Sequence, residues 1–319
     1  MRVTVTGAFG NVGQSALVEL LERGHEVRAL DLRSAESERA AQRYRDRVEV
    51  AWGDVRVADD VAGAMTGADA VAHTAFVIPP LSEREPELAQ AVNVDGTRNL
   101  IAAMQAQPSP PRLVYTSSVS VTGPRGPEDE PPVTAEHPLV ASDHYTRHKI
   151  ETERMVRESG LDWCILRLGA VLPLVLPRRF DPMAFDVPSE QRMEIVHTRD
   201  VGLAIARAVD CDEALGRILL IAGGERCRMT SGQMRARFAD VTGMSPMPDS
   251  AFSTRPFYMD YMDTREAQRI LEFQRFDFDD YIRDLQKSVP AFRRLVVRSL
   301  GGLISRYLLR QSPYYRSAL

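Results

Sequence analysis

The chain has 319 residues, of which 44% are hydrophobic and 26% are charged, and its formal net charge at pH 7 is −4. This composition is that of an ordinary globular protein, and it excludes a disordered chain, a collagen-like chain and a small disulfide-linked domain. The slightly negative charge provides no overall basic surface, so no nucleic-acid partner is expected. At about 150 residues per domain, the length corresponds to roughly two lobes.

The cysteines and the apolar runs predict where the protein resides. The three cysteines form no Cys-x-x-Cys pair and leave an odd one over, which is typical of a reducing cytoplasm. The chain opens with a strand that leads directly into a glycine turn, so no cleaved signal peptide is predicted. It has no run of about 18 apolar residues, so no transmembrane helix is predicted either.

Short apolar strands alternate with helices through the first half of the chain. Strands are predicted at 3–6, 27–30, 48–51, 70–74, 113–116 and 163–168, with helices at 12–21, 93–104 and 145–159. The five prolines between 123 and 138 predict an irregular loop. Apolar strands that alternate with helices form a parallel sheet covered on both faces. The sequence therefore predicts an α/β fold with a Rossmann-type doubly wound parallel sheet.

The second half departs from this alternation after about residue 169. A short helix is predicted over 196–209 and one more strand over 218–221. We therefore expect a dinucleotide-binding Rossmann domain over 1–169 and a smaller C-terminal substrate lobe over 170–319. Within that lobe, the segment of about 196–222 is expected to return to the first domain.

A glycine-rich turn follows the first predicted strand. Residues 6–13 read Thr-Gly-Ala-Phe-Gly-Asn-Val-Gly, with glycines at Gly7, Gly10 and Gly13. Glycine lets the backbone turn tightly and approach a pyrophosphate, and the N–H groups at the start of the next helix face its negative charge. A purely structural glycine turn is the alternative interpretation.

An acidic residue closes the second predicted strand, 18 residues after the last of these glycines. The carboxylate of Asp31 is suited to accept hydrogen bonds from the ribose hydroxyls of NAD, and it would repel a 2′-phosphate. Arg33 could instead pair with a 2′-phosphate, so NAD is the predicted cofactor and NADP is the alternative. Asp54 and Val55, after the third strand, are expected to cover the adenine, unless Asp54 is only a turn residue.

Three polar side chains later in the chain suit general acid–base chemistry. Tyr145 and Lys149 lie one helical turn apart on one face of a predicted helix, so the ammonium is expected to lower the pKa of the phenol. Ser118 follows the fifth strand, where its hydroxyl can hydrogen-bond a substrate carbonyl and its developing alkoxide. Taken alone, the pair of Tyr145 and Lys149 would also fit a solvated helix face.

These motifs occur together in an order that resembles the extended short-chain dehydrogenase/reductase family, which includes the NAD-dependent epimerase/dehydratases. The resemblance covers the chain from residue 2 to about residue 224 and is weak beyond that point. Besides the motifs above, it rests on His73-Thr74-Ala75, Asn-Val-Asp-Gly-Thr at 93–97, Tyr115-Thr116-Ser117-Ser118, Leu166-Arg167-Leu168 and His-Thr-Arg-Asp-Val at 197–201.

The resemblance implies an NAD(P)-dependent enzyme that acts on a small molecule through a triad of Ser118, Tyr145 and Lys149. It also implies further cofactor contacts through Gly7, Phe9, Gly10, Asn11, Val12 and Gly13 at the pyrophosphate, Thr74 and Ala75 at the nucleotide backbone, Tyr145 and Lys149 at the ribose, and Leu168 at the nicotinamide. Family members often pair through a four-helix interface, so a homodimer that uses the helix of Tyr145 is implied as well.

Departures from the family pattern narrow the expected reaction. Dehydratases carry an Asp-Glu pair after the catalytic serine or threonine, whereas this chain has Val119 and Ser120. Nucleotide-sugar epimerases usually carry a Tyr-Phe-Asn run after the sixth strand, whereas this chain has Leu168-Gly169-Ala170. The run 114–124 is more similar to the 3β-hydroxysteroid dehydrogenase branch, which implies hydride transfer to or from a less polar alcohol or carbonyl. A nucleotide-sugar epimerase and a non-catalytic NAD(P)-binding regulatory protein are the alternatives.

Two further features lie outside these motifs. His144 and His148 have the spacing of helical zinc ligands, but no third ligand accompanies them, so no metal site is predicted. Segment 287–319 contains seven Lys and Arg residues and no acidic residue. We expect this segment to pack on the body or on a subunit, with peripheral membrane contact as the alternative. Apolar residues recur in it near helical spacing at Phe292, Val296, Leu300, Leu303 and Tyr307.

Overall fold

The structure is a computed structural model that describes residues 1–175 and 180–315. Its strands are β1 (Arg2–Thr6), β2 (Glu26–Asp31), β3 (Val48–Trp52), β4 (Ala70–His73), β5 (Arg112–Ser118), β6 (Trp163–Leu168), β7 (Ala170–Val171), β8 (Arg192–Val196), β9 (Ile218–Ile221) and β10 (Arg228–Thr230). Its α-helices are α1 (Asn11–Glu22), α2 (Ala35–Ala41), α3 (Ala58–Met65), α4 (Leu81–Arg84), α5 (Pro86–Gln90), α6 (Gly96–Gln105), α7 (His144–Glu158), α8 (Thr198–Ala208), α9 (Ser231–Thr242), α10 (Arg265–Leu271), α11 (Phe278–Ser288) and α12 (Ala291–Leu309).

Seven strands form one parallel sheet in the order β3-β2-β1-β4-β5-β6-β9. The chain runs outward from β1 to β3 and then returns to place β4 on the other side of β1, so the strand order reverses between β1 and β4. Ligands of doubly wound folds bind in the crevice that opens at such a reversal, beyond the carboxyl ends of the strands. The predicted doubly wound parallel sheet is confirmed.

Helices cover both faces of this sheet. One buried core lies between the sheet and α1 and α8, and the other lies between the sheet and α3, α6 and α7. Although α8 comes from the second half of the chain, it packs closely against α1. A Cβ atom on Gly202 would lie 2.3 Å from the carbonyl oxygen of Ser15, and Ser15 Oγ is 2.8 Å from Thr198 Oγ1. The absence of a side chain at position 202 therefore sets the distance between these helices.

A three-stranded sheet in the order β10-β8-β7 forms the centre of the C-terminal region, and α9 and α11 pack on it. The proline-rich loop 123–138 is attached to this region by the buried carboxylate of Asp260. That carboxylate accepts hydrogen bonds from Arg125 Nε at 2.9 Å and Arg192 Nε at 2.6 Å. A buried carboxylate requires such donors. The loop is irregular, as its prolines predict, but the ion pair between Arg125 and Asp260 holds it in place.

The structure contains several elements that the periodicity of the sequence does not predict. These are the short helices α2 to α5, the small sheet, and helices α9 to α11. The strands β7 and β10 contain only two and three residues, which is too short for an alternating pattern. None of the helices in the described part of the chain combines the length and hydropathy that a bilayer crossing requires.

We expect Gly202→Ala to destabilise the protein, because the added methyl group would meet the carbonyl of Ser15 and push α8 away from α1. Overpacking of this kind costs roughly 1–3 kcal/mol, which urea denaturation would detect as a lower midpoint. Gly63→Ala is the matched control, because Gly63 lies in α3 with no atom within 4 Å of an added Cβ. This control should raise the midpoint, since alanine favours a helix by about 1 kcal/mol over glycine. A wild-type midpoint for Gly202→Ala would contradict the close packing.

Candidate active site

The glycine-rich turn between β1 and α1 lies at the reversal of strand order. Gly7 has φ of +63°, and a Cβ atom there would lie 2.7 Å from Ala75 Cα, while one on Gly13 would lie 2.2 Å from the Gly7 carbonyl oxygen. Only glycine fits these two positions. Helix α1 begins at Asn11 after Gly10, which provides no side-chain cap, and its first turn has no acidic residue. The start of α1 therefore offers backbone N–H groups to an anion in the crevice.

The other residues of the turn differ in exposure. Phe9 is buried, with its ring centroid 5.6 Å from that of Trp52 and 6.4 Å from that of Tyr44. Asn11 is exposed and Val12 is half-buried. The Phe9 ring therefore belongs to the core, and only the backbone of this residue faces the turn.

Asp31 ends β2 beside the glycine turn. Its Oδ2 accepts a hydrogen bond from Phe9 N at 2.7 Å, and its Oδ1 accepts one from Leu32 N at 2.8 Å. Burial raises the pKa of Asp31, although these two N–H donors lower it in part. Arg33 Nε donates to Glu38 at 2.8 Å, and the arginine side chain is 70% exposed. The structure thus brings Asp31 to the turn and engages Arg33 in a surface ion pair.

The end of β4 contributes His73, Thr74 and Ala75. The ring of His73 is buried, with Nδ1 2.6 Å from Thr6 Oγ1 and Nε2 3.1 Å from Thr97 Oγ1. Burial lowers the pKa of His73 to about 3, so the ring is neutral. Thr74 Oγ1 donates to the carbonyl of Thr6 at 2.7 Å. These bonds join the ends of β1 and β4 and hold Ala75 against the glycine turn.

Asp54 and Val55 follow β3. The Asp54 carboxylate accepts hydrogen bonds from Arg56 Nε at 2.9 Å and Nη2 at 2.5 Å, and this ion pair lowers the pKa of Asp54. The backbone N–H of Asp54 donates to Asp60 Oδ2 at 2.9 Å. Val55 is buried against Gly96. These contacts favour the interpretation of Asp54 as a turn residue.

Ser118 lies at the carboxyl end of β5, and Tyr145 lies in the first turn of α7. Strand β5 ends at Ser118, which is in register with Leu168 at the end of β6. Ser118 Oγ accepts hydrogen bonds from Ser120 N at 3.2 Å and Ser120 Oγ at 2.8 Å. Burial raises the pKa of Tyr145 to about 12, although interaction with the Ser118 hydroxyl lowers it in part. The Tyr145 phenol is therefore protonated near neutral pH.

Lys149 lies one turn further along α7 and is only 3% exposed. Its Nζ donates to the carbonyl of Thr116 at 2.7 Å and lies 3.4 Å from the ring centroid of Phe76. The same nitrogen is 5.9 Å from the ring centroid of Tyr145. Burial drives the pKa of Lys149 well below its usual value. No sequence pattern singled out Phe76, whose ring covers the amine.

The expected effect of Lys149 on Tyr145 is absent from this structure, and the prediction of a lowered phenol pKa is wrong for it. An ammonium lowers the pKa of a phenol only while it carries its charge. Burial favours the neutral form of both groups and outweighs the attraction of Glu153 for the ammonium. Loss of water therefore raises the pKa of the phenol and lowers that of the amine.

Asn93 is a residue of the site whose role the sequence did not predict. It lies in a π-helical turn, Ala91–Asp95, of a kind often found at functional sites. Its Oδ1 accepts from Val77 N at 2.6 Å, and its Nδ2 donates to Val77 O at 2.9 Å and lies 3.3 Å from His148 Nδ1. Asn93 thereby joins the loop after β4 to α7. In the sequence, Asn93 was noted only as the first residue of the family motif Asn-Val-Asp-Gly-Thr at 93–97.

Two carboxylates fix the start of α7. Glu83 accepts hydrogen bonds from the backbone N–H groups of His144 at 3.2 Å and Tyr145 at 3.1 Å. Asp143 caps the same end and forms a capping box with Thr146. Negative groups at a helix N-terminus satisfy its free N–H groups and its dipole. The backbone that carries the phenol is thus held from two sides.

The C-terminal region contains a second phenol with a displaced pKa. Burial raises the pKa of Tyr258, and Asp143, Tyr145, Glu83 and Asp186 raise it further. The ring of Tyr258 stacks on that of Phe257, with 4.1 Å between the centroids. The weak resemblance of the C-terminal segment to the family gave no signal for this residue.

A family model described as the 3-beta hydroxysteroid dehydrogenase/isomerase family matches residues 4–164. The chain belongs to this family. The matched range includes the glycine turn, Asp31, Ser118, Tyr145 and Lys149. The resemblance to the extended short-chain dehydrogenase/reductases, and to this branch of them, is confirmed.

Two curated relatives match about half of the chain. A 3-beta-hydroxysteroid dehydrogenase of Mycolicibacterium neoaurum is 36% identical over 181 residues, which are 53% of this chain and 47% of that protein. The 3 beta-hydroxysteroid dehydrogenase type 7 of Mus musculus is 35% identical over 167 residues, which are 49% of this chain and 44% of that protein. The chain thus spans about half the length of the curated relatives that it matches.

The fold extends beyond the family. A UDP-glucose-4-epimerase from Stenotrophomonas maltophila, solved with bound NAD and formylated UDP-arabinopyranose, matches with a TM-score of 0.77 and 23% identity. The match covers 94% of this chain and 99% of that one. At this level of identity, the likeness establishes a shared fold.

Large apolar side chains are exposed on the segments that lead into α4 and α7 in this family member. Ile78 is 58% exposed and Leu81 is 42% exposed, while Leu139 and Val140 are 38% and 46% exposed. Glu83, which lies in α4, is bonded to the start of α7. Exposed apolar side chains near a crevice favour a less polar ligand.

The two histidines of α7 lie with their ring centroids 6.3 Å apart. Burial is the main cause that lowers the pKa of His148, whose Nδ1 faces Asn93. Within the described ranges, no group of three or more His, Cys, Asp or Glu side chains is arranged to hold a metal ion.

We expect the stability of the protein to fall as the pH decreases below 6.5, because His73 is neutral when folded but becomes protonated in the unfolded chain. The pKa of about 3 in the folded state lies below the unfolded value. The contribution is therefore complete above pH 6.5 and is lost towards pH 3, at up to about 1.4 kcal/mol per pH unit. His73→Gln removes this titration, so urea midpoints of the variant should depend less on pH in this range.

The same measurement contains its own control for His73. Above the unfolded pKa the ring is neutral in both states, so the curves of wild type and His73→Gln should run parallel there. An equal loss of stability in both proteins on acidification would show that His73 is not the group responsible.

Proposed function

We propose that the chain is an NAD-dependent oxidoreductase that transfers hydride between the nicotinamide and a secondary alcohol or carbonyl of a less polar small molecule. In this proposal Ser118, Tyr145 and Lys149 are the catalytic residues. The observation that carries it is that Ser118 ends β5 beside the end of β6, at the crevice edge of the sheet, while Lys149, on the same helix as Tyr145, contacts β5 through the carbonyl of Thr116 at 2.7 Å. Two hydroxyls at this place can hold one substrate oxygen between them.

The glycine turn has the features that a dinucleotide requires. Gly7 and Gly13 have no room for a side chain, and the start of α1 has no side-chain cap. Each oxygen of Asp31 has one backbone donor, which leaves acceptor capacity for ribose hydroxyls. Bound NAD would supply the hydride acceptor for oxidation of an alcohol, and NADH would supply the hydride for reduction of a carbonyl. The residues that would hold it are Gly7, the backbone of Phe9, Gly10, Asn11, Val12, Gly13, Asp31, Val55, Thr74, Ala75, Tyr145, Lys149 and Leu168.

The proton chemistry follows from the buried state of the phenol. With a pKa of about 12, Tyr145 is in its acid form at neutral pH and can donate its proton to the oxygen of a carbonyl that is being reduced. Ser118 Oγ already accepts two hydrogen bonds from Ser120, so its own hydrogen is free to be donated to the same substrate oxygen. The phenolate left by this step would raise the pKa of Lys149, and the ammonium formed by uptake of a proton from solvent would stabilise the anion.

The proposed substrate is less polar than a nucleotide sugar. Val119 and Ser120 stand where dehydratases carry two acids, and the segments near α4 and α7 expose Ile78, Leu81 and Val140. The 3-beta-hydroxysteroid dehydrogenases among the relatives act, by their names, on a hydroxysteroid. We therefore infer a secondary alcohol or carbonyl on a largely hydrocarbon body.

An NAD-dependent nucleotide-sugar epimerase is the second candidate, because the protein shares its fold with such an enzyme. Thermal-shift titrations with NAD, NADH, NADP and NADPH, followed by a panel of alcohols, carbonyls and UDP-sugars, distinguish the candidates. Net production of NADH from an alcohol supports the oxidoreductase. Turnover of UDP-sugars without net redox change supports the epimerase, and nucleotide binding without any turnover supports a regulatory protein.

We expect Tyr145→Phe to lower kcat by roughly 10²–10⁴-fold, the usual contribution of a positioned acid–base group. NAD affinity should persist, because the ring keeps its edge contact with Phe76 at 5.7 Å.

For alcohol oxidation by the wild type, kcat should rise with pH, since only the phenolate accepts the proton and its pKa of about 12 lies above the working range. The rise should be absent in the variant, and a fully active Tyr145→Phe would contradict the assignment.

We expect Asp31→Ser to weaken NAD binding by about 10–100-fold, because charged hydrogen bonds to ribose hydroxyls contribute roughly 1.5–3 kcal/mol. The ratio of NADP affinity to NAD affinity should rise, since the negative charge no longer repels a 2′-phosphate. Calorimetric titration with both nucleotides measures the two effects. Asp59→Ser, at an exposed position of α3, is the matched control and should leave both affinities unchanged. Unchanged NAD affinity in Asp31→Ser would place the ribose elsewhere.

Two expectations of the sequence stay predictions. The first is a homodimer through a four-helix interface that includes α7. The second is a cytoplasmic location, and the supporting observation is that no disulfide joins the three cysteines, Cys164, Cys211 and Cys227.

A further inference from the structure

Helix α12 (Ala291–Leu309) packs on the C-terminal lobe through small side chains. Gly301 and Leu308 are buried on this side, and Ser305 Oγ donates to the carbonyl of Ser245 at 3.1 Å. A Cβ atom on Gly301 would already lie 3.1 Å from Ser245 Oγ. The side of α12 that faces the body is therefore narrow and closely fitted.

The large apolar residues of α12 lie on the opposite side. Phe292 is 77% exposed, Leu303 is 68% exposed, Tyr307 is 66% exposed and Leu300 is 46% exposed. At about 100° per residue these four side chains fall within an arc of about 80°, on the far side of the helix from its buried residues. The side chain of Val296, which belongs to the same predicted stripe, lies outside the described residues. We call this side the outer face of α12.

The segment that contains the outer face carries a positive charge. Segment 287–319 contributes +7 to a chain whose formal charge is −4, so the rest of the chain carries −11. Arg306 and Arg310 are exposed on α12, beside the apolar residues. Lys287, at the end of α11, donates to Asp284 at 2.8 Å and is thus already paired. The remaining cations of the segment are Arg293, Arg294, Arg298 and Arg316, whose side chains lie outside the described residues.

We propose that the outer face of α12 docks onto an anionic lipid membrane, with its apolar stripe in the interfacial layer and its arginines at the headgroups. An apolar stripe beside arginines, with no acidic residue in the segment, is the pattern of a helix that lies in the membrane interface. Because the opposite side of α12 is bonded to the body, the helix lies parallel to the membrane plane and the protein remains folded above it.

A second copy of the chain fits this surface less well than a membrane does. Two outer faces placed together would bring Arg306 and Arg310 of both copies into one contact, and like charges in contact oppose association. An anionic membrane satisfies the apolar stripe and the arginines at the same time. The charge of the segment therefore decides between the two occupants.

The test measures co-sedimentation of the full chain with vesicles. Wild type is expected to sediment with vesicles of phosphatidylcholine mixed with phosphatidylglycerol, and to do so less at high salt and with phosphatidylcholine alone. Leu303→Ser combined with Tyr307→Ser should reduce the partition coefficient at least tenfold. Arg306→Gln combined with Arg310→Gln should reduce it about fivefold per arginine on anionic vesicles only. These side chains are exposed, so a thermal melt should show that both variants remain folded.

A matched control removes two exposed apolar side chains elsewhere. Val18→Ser combined with Val57→Ser changes one residue of α1 that is 40% exposed and one directly before α3 that is 46% exposed, and this variant should sediment like wild type. Equal sedimentation of wild type and the Leu303→Ser, Tyr307→Ser variant would overturn the proposal, as would a wild type that stays in solution with anionic vesicles. A wild-type dimer that this variant converts to a monomer in light scattering would show that the face is a protein interface instead.

Discussion

The removal of Lys149 from water is the constraint on which the rest of the candidate site depends. Its amine contacts a carbonyl of β5 and the ring of Phe76, so the sheet, the loop after β4 and helix α7 must all be in place around it. Hydrogen bonds hold each of these parts, between Asn93 and Val77 and between Glu83 and the start of α7. The result is an amine and a phenol that both favour their neutral forms, and such displaced pKa values are typical of reactive sites.

Much of the fold could be predicted, because the main sheet is built from apolar runs between glycines. The strands β1, β5, β6 and β9 consist mostly of apolar and β-branched residues, and they alternate with helices along the chain. The position of Asp31 could be predicted as well. It ends the second strand, and the order of strand, glycine turn, helix and second strand brings that end beside the turn. The small sheet could not be predicted, because β7 and β10 are too short to show a period and β10 pairs with a strand more than 30 residues away in sequence.

The electrostatics of the site could not be predicted from spacing. The interval of four residues between Tyr145 and Lys149 places both on one face of a helix, but it does not reveal whether water reaches them. Phe76 and Thr116 exclude that water, and they come from other parts of the chain. The side of α12 that packs was equally hidden, because its contacts are made by glycine and serine rather than by the large apolar residues. Ion pairs between residues close in sequence, such as the pair of Arg56 and Asp54, could have been predicted from spacing.

The position of α8 and β9 in the chain has a consequence for synthesis. Every residue proposed for the nucleotide site lies before residue 169, yet α8 can cover α1 only after residue 208 has been added, and β9 can pair with β6 only after residue 221. A ribosome releases the N-terminus first, so the apolar side of α1 and the edge of β6 stay uncovered while the next fifty or so residues are made. A fragment that ends at residue 169 would therefore expose the edge of β6, and an exposed sheet edge favours aggregation.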